Sequence, residues 1–197
     1  MQTATQKRTY TPEEYLEMEE KAEFRSEYRD GEIIPMTGGT TNHNQIALNF
    51  AFALKAALRG QDYKIYIADV RLWIPCYRQY TYPDVMLIQG QPVYMEASTT
   101  TVMNPSLIVE VLSNSTKNYD QGDKFLYYRS IAEFQEYILI DQYEYRVMQY
   151  VKTDTDKWLF NELKGESANL SLQTVSLQVS LLELYEQVDF TESYGDE

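Results

Sequence analysis

The chain has 197 residues, of which 44% are hydrophobic and 24% charged, which is ample for a sizeable core and excludes wholesale disorder. Seventeen basic residues against 30 acidic ones leave a formal net charge of −13, which at face value argues against a nucleic-acid partner. One histidine, His43, and one cysteine, Cys76, exclude a zinc site built from Cys and His and any internal disulfide. A lone cysteine fits a reducing cytoplasm, the polar start Met1–Lys7 shows no signal peptide, and no apolar run reaches the length of a membrane span.

In chain order, Thr11-Pro12-Glu13-Glu14 predicts a helix start, with Thr11 as cap, Pro12 at the first helical position and Glu14 closing a capping box. That helix runs to about Lys21. Asp30-Gly31, between β-prone runs, predicts a hairpin. From Asn42 to Arg59, Ile46, Phe50, Leu54 and Leu58 recur at steps of four and predict an amphipathic helix with one buried face. Strands are expected at Lys64–Ala68, Val70–Ile74, Tyr82–Ile88 and Leu107–Leu112, and a helix at Tyr119–Arg129. Strands follow at Glu136–Ile140, Glu144–Val151 and Lys157–Leu163, then a short helix at Leu181–Glu186. This order reads as an α/β (α+β) sandwich around a mixed sheet. No repeat or flexible linker is evident, so one domain is expected over 9–187, with a flexible N-terminus at 1–8 and an acidic tail at 188–197.

Glu110 is the most informative residue. It interrupts an otherwise apolar strand, where an ionised side chain costs several kcal/mol unless paired or metal-bound. Asp84, after Pro83 and before Val85–Ile88, is a second acid at the head of an apolar strand. Either one alone reads as a strand-end acid that faces solvent or is paired with an arginine. Together, on neighbouring strands, they can converge on a hard divalent cation, Mg²⁺ or Mn²⁺, which takes one or two carboxylates plus water and phosphate oxygens. Lys124 lies four residues after Asp120 and four before Tyr128, so the three share one helix face and the lysine can offset charge on a phosphoryl group.

The set Tyr28-Arg29-Asp30-Gly31-Glu32-Ile33, Asp69-Val70-Arg71-Leu72, Tyr82-Pro83-Asp84-Val85, Ile108 to Thr116 and Glu136 to Asp141 resembles, in order, the Uma-type restriction endonuclease family. That family lies within the PD-(D/E)XK nucleases, and the match covers nearly the whole chain, from about Thr9 to Tyr185. The resemblance implies a restriction endonuclease-like fold, a central mixed β-sheet flanked by helices. It implies a Mg²⁺-dependent endodeoxyribonuclease that hydrolyses DNA phosphodiester bonds, working as a homodimer. Asp84, Glu110 and the backbone carbonyl of Val111 would hold the metal. The superfamily lysine two residues after the glutamate is replaced by Leu112, and Lys124 on the following helix matches the lysine that family members carry there. Glu27 matches an acid near the first core helix, and would bind a metal-linked water or hold Lys124; it reads equally as a surface strand residue. His43 matches a histidine common in the family and could meet a phosphate at its helix N-terminus.

Other candidates have two readings each. Arg71 could face phosphate or Asp84, or form a structural ion pair. Ser113, in a polar loop after the Glu110 strand, could line the mouth of the site or simply turn the chain. Tyrosine is abundant, at 18 residues; some could stack on unpaired bases, although half-buried sheet positions explain them equally. No nucleophile elbow or P-loop is present, and no zinc, haem or nucleotide cofactor is expected. The alternative function is a catalytically inactive member of the fold that binds nucleic acid or protein, supported by Leu112 and the net charge. That charge is uneven: segment 37–130 carries eight basic and seven acidic residues, whereas the last 33 residues carry seven acids and no base. The sign therefore does not exclude DNA. It predicts weak, metal-dependent binding with a shallow salt slope.

Overall fold

Local chemistry sets the first three elements as expected. In this computed structural model, residues 8–95 and 98–191 are described; most of the expected flexible N-terminus and the end of the acidic tail lie outside them. Helix α1 (Pro12–Glu19) opens on the capping box, the Glu14 amide donating to Thr11 Oγ1 at 3.1 Å and the Thr11 amide to Glu14 Oε2 at 2.8 Å. Strands β1 (Ser26–Arg29) and β2 (Glu32–Pro35) form the hairpin, whose turn residues Asp30 and Gly31 both take positive φ, 42° and 105°. That pair of angles suits the right-handed twist of the strands it joins. Helix α2 (Thr41–Ala57) is capped by Thr40 and buries Ile46, Phe50 and Leu54 on one stripe.

The remaining strands are β3 (Tyr63–Ile67), β4 (Arg71–Ile74), β5 (Gln79–Thr81), β6 (Val85–Gln89), β7 (Thr101–Val102), β8 (Leu107–Leu112), β9 (Glu136–Asp141), β10 (Arg146–Lys152), β11 (Trp158–Lys164), β12 (Asn169–Ser171) and β13 (Gln178–Ser180). They form a six-stranded sheet in the order β11-β10-β9-β8-β6-β3, a five-stranded sheet in the order β2-β1-β5-β4-β7, and the small pair β12-β13. The fold is thus mixed α+β, with multi-stranded mixed sheets and flanking helices. The second sheet, and the short strands β5, β7, β12 and β13, were not foreseen from periodicity. No helix among the described residues is long and apolar enough to cross a membrane.

In the six-stranded sheet every neighbouring pair is antiparallel except β8 and β9, which run parallel. A parallel pair needs a crossover, and a helix usually supplies it. Here it consists of α3 (Lys117–Tyr119), a π-helical turn (Asp120–Lys124) and α4 (Phe125–Tyr128). Side chains alternate across the sheet. Val109 and Val111 join the core beneath α2, with Ile46, Phe50 and Leu54. Ile108 and Leu112 join the core on the other face, with Tyr128, Phe134 and Tyr137. Glu110 shares the parity of Ile108 and Leu112, so it points to the face the crossover helix covers. A last helix, α5 (Leu181–Leu184), follows β13, and Asn42 exchanges two hydrogen bonds with the Asp189 backbone, at 2.7 and 3.1 Å. The start of the expected acidic tail is therefore tied to α2.

A second glutamate, Glu136 at the start of β9, is fully buried in the same sheet. It accepts from Gln149 Nε2 at 2.6 Å and from the amides of Gln173 and Thr174 at 3.0 and 2.8 Å. Amide donors meet this carboxylate, and its role is to fasten the 172–177 segment to the sheet. Glu136→Gln turns an acceptor atom into a donor facing donors. It should lower the unfolding free energy by about 2 kcal/mol in urea titrations; an unchanged midpoint would contradict this bonding.

Candidate active site

Glu110 is met by charge where Glu136 is met by amides. Glu110 Oε1 accepts from Lys124 Nζ at 2.8 Å and from the Tyr128 hydroxyl at 2.7 Å. Lys124 Nζ also lies 3.3 Å from Asp120 Oδ1 and 3.8 Å from Glu27 Oε1. The three acids and the lysine are each at most 6% exposed. The crossover helix brings Lys124 here, and the π-turn that carries it has Asp120 and Lys124 as its two buried residues. Such i→i+5 turns recur at functional sites.

Glu27 comes from β1 in the other sheet and is itself pinned. Thr81 on β5 donates to Oε1, and Arg29 Nη2 donates to Oε2 at 2.6 Å. Arg29 lies two residues along the same strand, hence on the same face, and its guanidinium covers the Tyr119 ring at 3.6 Å. The Tyr119 hydroxyl accepts from Gln79 Nε2 at 2.5 Å. Arg29, Thr81 and Tyr119 escaped sequence reasoning; the i, i+2 spacing of Glu27 and Arg29 was the one available signal.

Asp84 sits just before β6 and faces the same cleft. Its Oδ1 is 2.8 Å from His43 Nε2, at the start of α2, and its Oδ2 accepts from the Val111 amide at 2.7 Å. The Val111 group that touches Asp84 is thus the N–H rather than the carbonyl expected as a metal ligand. Asp84, Glu110, Glu27, His43, Asp120 and Lys124 all line one cleft of about 610 Å³. Ser113 lines it too, with its hydroxyl 3.0 Å from those of Ser115 and Thr116. Arg71 does not reach it. Strand β4 belongs to the five-stranded sheet, and the Arg71 side chain bonds to Thr101 Oγ1 at 3.1 Å beside the rings of Tyr15 and Tyr80. Its expected approach to Asp84 or to phosphate is corrected accordingly.

A family model described as "Putative restriction endonuclease", named Uma2, matches residues 12–183. The chain belongs to the Uma2 family. Among similar proteins, uncharacterized protein sll1609 of Synechocystis sp. is 43% identical over 167 residues, covering 85% of this chain and 94% of its own length. Uncharacterized protein slr1290 of the same organism is 34% identical over 180 residues, covering 91% and 93%. A solved structure described as a putative nuclease belonging to DUF820, from Anabaena variabilis, superposes with a TM-score of 0.73 at 18% identity. It covers 90% of this chain and 98% of its own, and shows a shared fold.

In this Uma2 chain Leu112 occupies the strand position of the superfamily lysine and is buried among aromatic and aliphatic side chains. Lys124 reaches the same face from the crossover helix. Burial pulls the Lys124 ammonium towards neutrality, but Glu110, Asp120 and Glu27 more than offset this and hold its pKa well above the ordinary value. Burial raises Glu27, yet Lys124, Thr81 and Arg29 bring its carboxyl below the usual range. Burial opposes protonation of His43, and the Asp84 hydrogen bond and charge reverse that, for a net rise. Glu110 is driven up to about 8, by burial first and by the charges of Asp84 and Asp120, against the pull of Lys124. The cleft holds more carboxylate charge than Lys124 and Arg29 neutralise.

In metal-free protein, folded Glu110 therefore keeps a proton that the unfolded chain, with its ordinary value of 4.5, has released. Where the folded state binds more protons, the unfolding free energy falls as pH rises, here between about 4.5 and about 8. Glu110→Gln should flatten this decline relative to wild type in EDTA-treated samples. Parallel curves for the two proteins would contradict the assignment.

Proposed function

We propose that the protein is a divalent-metal-dependent endonuclease that hydrolyses phosphodiester bonds of DNA in this cleft. The observation that carries the reading is the meeting of Asp84, Glu110 and Lys124, from the bend before β6, strand β8 and the crossover helix, in one cleft. The family description supports DNA as substrate.

The donor set suits Mg²⁺ or Mn²⁺. Both acids offer hard oxygen ligands, and the surplus negative charge that raises Glu110 is what a cation would relieve. Among the described residues no three His, Cys, Asp or Glu side chains form a ready metal cage. Asp84 and Glu110 would therefore supply two ligands and leave the rest to water and phosphate, as Mg²⁺ commonly requires. When bound, the metal supplies Lewis acidity towards the phosphoryl oxygen and eases deprotonation of water.

The chain's own residues do the positioning. Lys124 keeps its proton, so it acts as an electrostatic donor to the phosphoryl group and to the attacking water, not as a general base. Glu27, fixed by Arg29 and Thr81, holds the ammonium from the far side. Tyr128 orients Glu110, while His43 and the Val111 amide orient Asp84. Water attacks phosphorus in line and a sugar oxygen leaves. A homodimer, with one cleft for each strand, would extend this to duplex cleavage.

The alternative of an inactive binding module rests on Leu112 and the net charge; the approach of Lys124 to Glu110 favours the nuclease reading over it. Plasmid nicking with Mg²⁺ or Mn²⁺ should fall by about a hundredfold or more in Asp84→Asn and Lys124→Met, and EDTA should abolish it. Wild-type rates in both variants would overturn the site. No nicking, together with no heat of metal binding by a folded protein, would favour the binding module.

A further inference from the structure

Arg29 belongs to two cavities. It lines the large cleft and also a smaller one of about 280 Å³, whose wall includes Tyr77, Arg78 and Tyr127. A line of rings connects them. Tyr119, whose ring lies 5.9 Å from the Lys124 ammonium and under the Arg29 guanidinium, is 6.5 Å from Tyr127, and Tyr127 is 4.6 Å from Tyr77. All three tyrosines are half-buried rather than enclosed in the core. Arg78 closes the line, with its side chain 55% exposed. Its φ of 48° is unusual for a residue other than glycine, and its carbonyl accepts from the Asp30 amide at 3.1 Å, which holds the turn. The opposing charges include Asp30, 3.4 Å from Arg78, Glu13, which also acts on Arg78, Glu27, 2.6 Å from Arg29, and Asp123, which acts on Tyr127.

We propose that this tyrosine–arginine strip is a track for an unpaired DNA strand leaving the cleft. Its direction rests on the nuclease reading above; the binding itself does not. Aromatic faces recognise the π-faces of bases, and only unpaired bases present them. A duplex would offer mainly phosphates to two arginines on a chain of net charge −13, a poor footing for a basic clamp. An unpaired strand gains from stacking as well as charge, so it needs fewer cations. Arg29 marks the continuity, because it meets Glu27 inside the cleft and Tyr119 at its edge.

The test uses full-length Asp84→Asn protein, which holds substrate uncut, and a fluorescent oligonucleotide of about a dozen nucleotides, long enough to span several stacked bases. Tyr77→Leu and Tyr127→Leu should each weaken binding about tenfold in anisotropy titrations. Arg78 is exposed but donates to the buried Tyr28 hydroxyl at 3.5 Å, so Arg78→Gln is used at a urea midpoint matched to the parent; it should weaken binding and lower the salt slope by about 0.7. If either tyrosine variant fails to fold, Arg78→Gln and photo-cross-linking with iodouracil-substituted strands decide. Cross-links should map to Tyr77, Tyr119 or Tyr127. Equal binding by all variants, tighter binding of the matched duplex or RNA, or cross-links elsewhere would overturn the track. Plasmid nicking by the wild type is scored separately. Nicking without strip binding refutes the track alone, and strip binding without nicking refutes the nuclease reading alone.

Discussion

A buried ammonium, held by carboxylates from three separate parts of the chain, is the constraint on which the rest of the site depends. Taking Lys124 out of water costs several kcal/mol, and only close partners can offset that cost. Glu110 comes from a central strand, Asp120 from the lysine's own π-turn, and Glu27 from the second sheet. Each acid would be as costly alone as the lysine. The cluster therefore ties both sheets and the crossover helix into one electrostatic unit. The surplus of carboxylates is what drives Glu110 up to about 8. Contrast with Glu136 sharpens the point: a carboxylate surrounded by amide donors is fastened, whereas one surrounded by other charges remains responsive to a proton or a cation.

Topology explains why the lysine can leave the strand. Strands β8 and β9 run parallel, so the chain must cross the sheet between them, and it crosses over the face to which Glu110 and Leu112 point. A lysine at position 112 would occupy the sheet; one on the crossover helix approaches from above and reaches the same carboxylate. Position 112 is then released to pack with Tyr128 and Tyr137.

Much of this was legible in the residues. An acid inside Leu107–Leu112 and an acid heading the strand after Pro83 violate hydrophobic patterning, and such violations mark sites. The i, i+4 spacing of Asp120, Lys124 and Tyr128 survived the π-turn, because both Lys124 and Tyr128 still converge on Glu110. The π-turn itself was not legible, since a one-residue change of hydrogen-bond register leaves no periodic trace in five residues. Nor was Arg71. The local sequence around Arg71 predicts a strand, but not that β4 pairs with β5 and β7 in the other sheet. The support of Glu27 by Thr81 was hidden for the same reason, because it depends on β1 finding β5 across some fifty residues, Tyr28 opposite Tyr80.

The uneven charge also takes on a structural meaning. Most of the negative excess lies near the chain ends, while the nearly neutral segment 37–130 supplies Asp84, Glu110 and Lys124 of the cleft and Arg78 of the strip. The acids that remain in the middle include the cluster itself, so the surface a substrate first meets is less acidic than the total implies. A protein built this way has little long-range attraction for polyanions and must gain affinity at short range. Cation binding at Asp84 and Glu110 and stacking on tyrosine would both be short-range terms. The aromatic abundance of this chain, dominated by tyrosine, is then the natural complement of its negative charge.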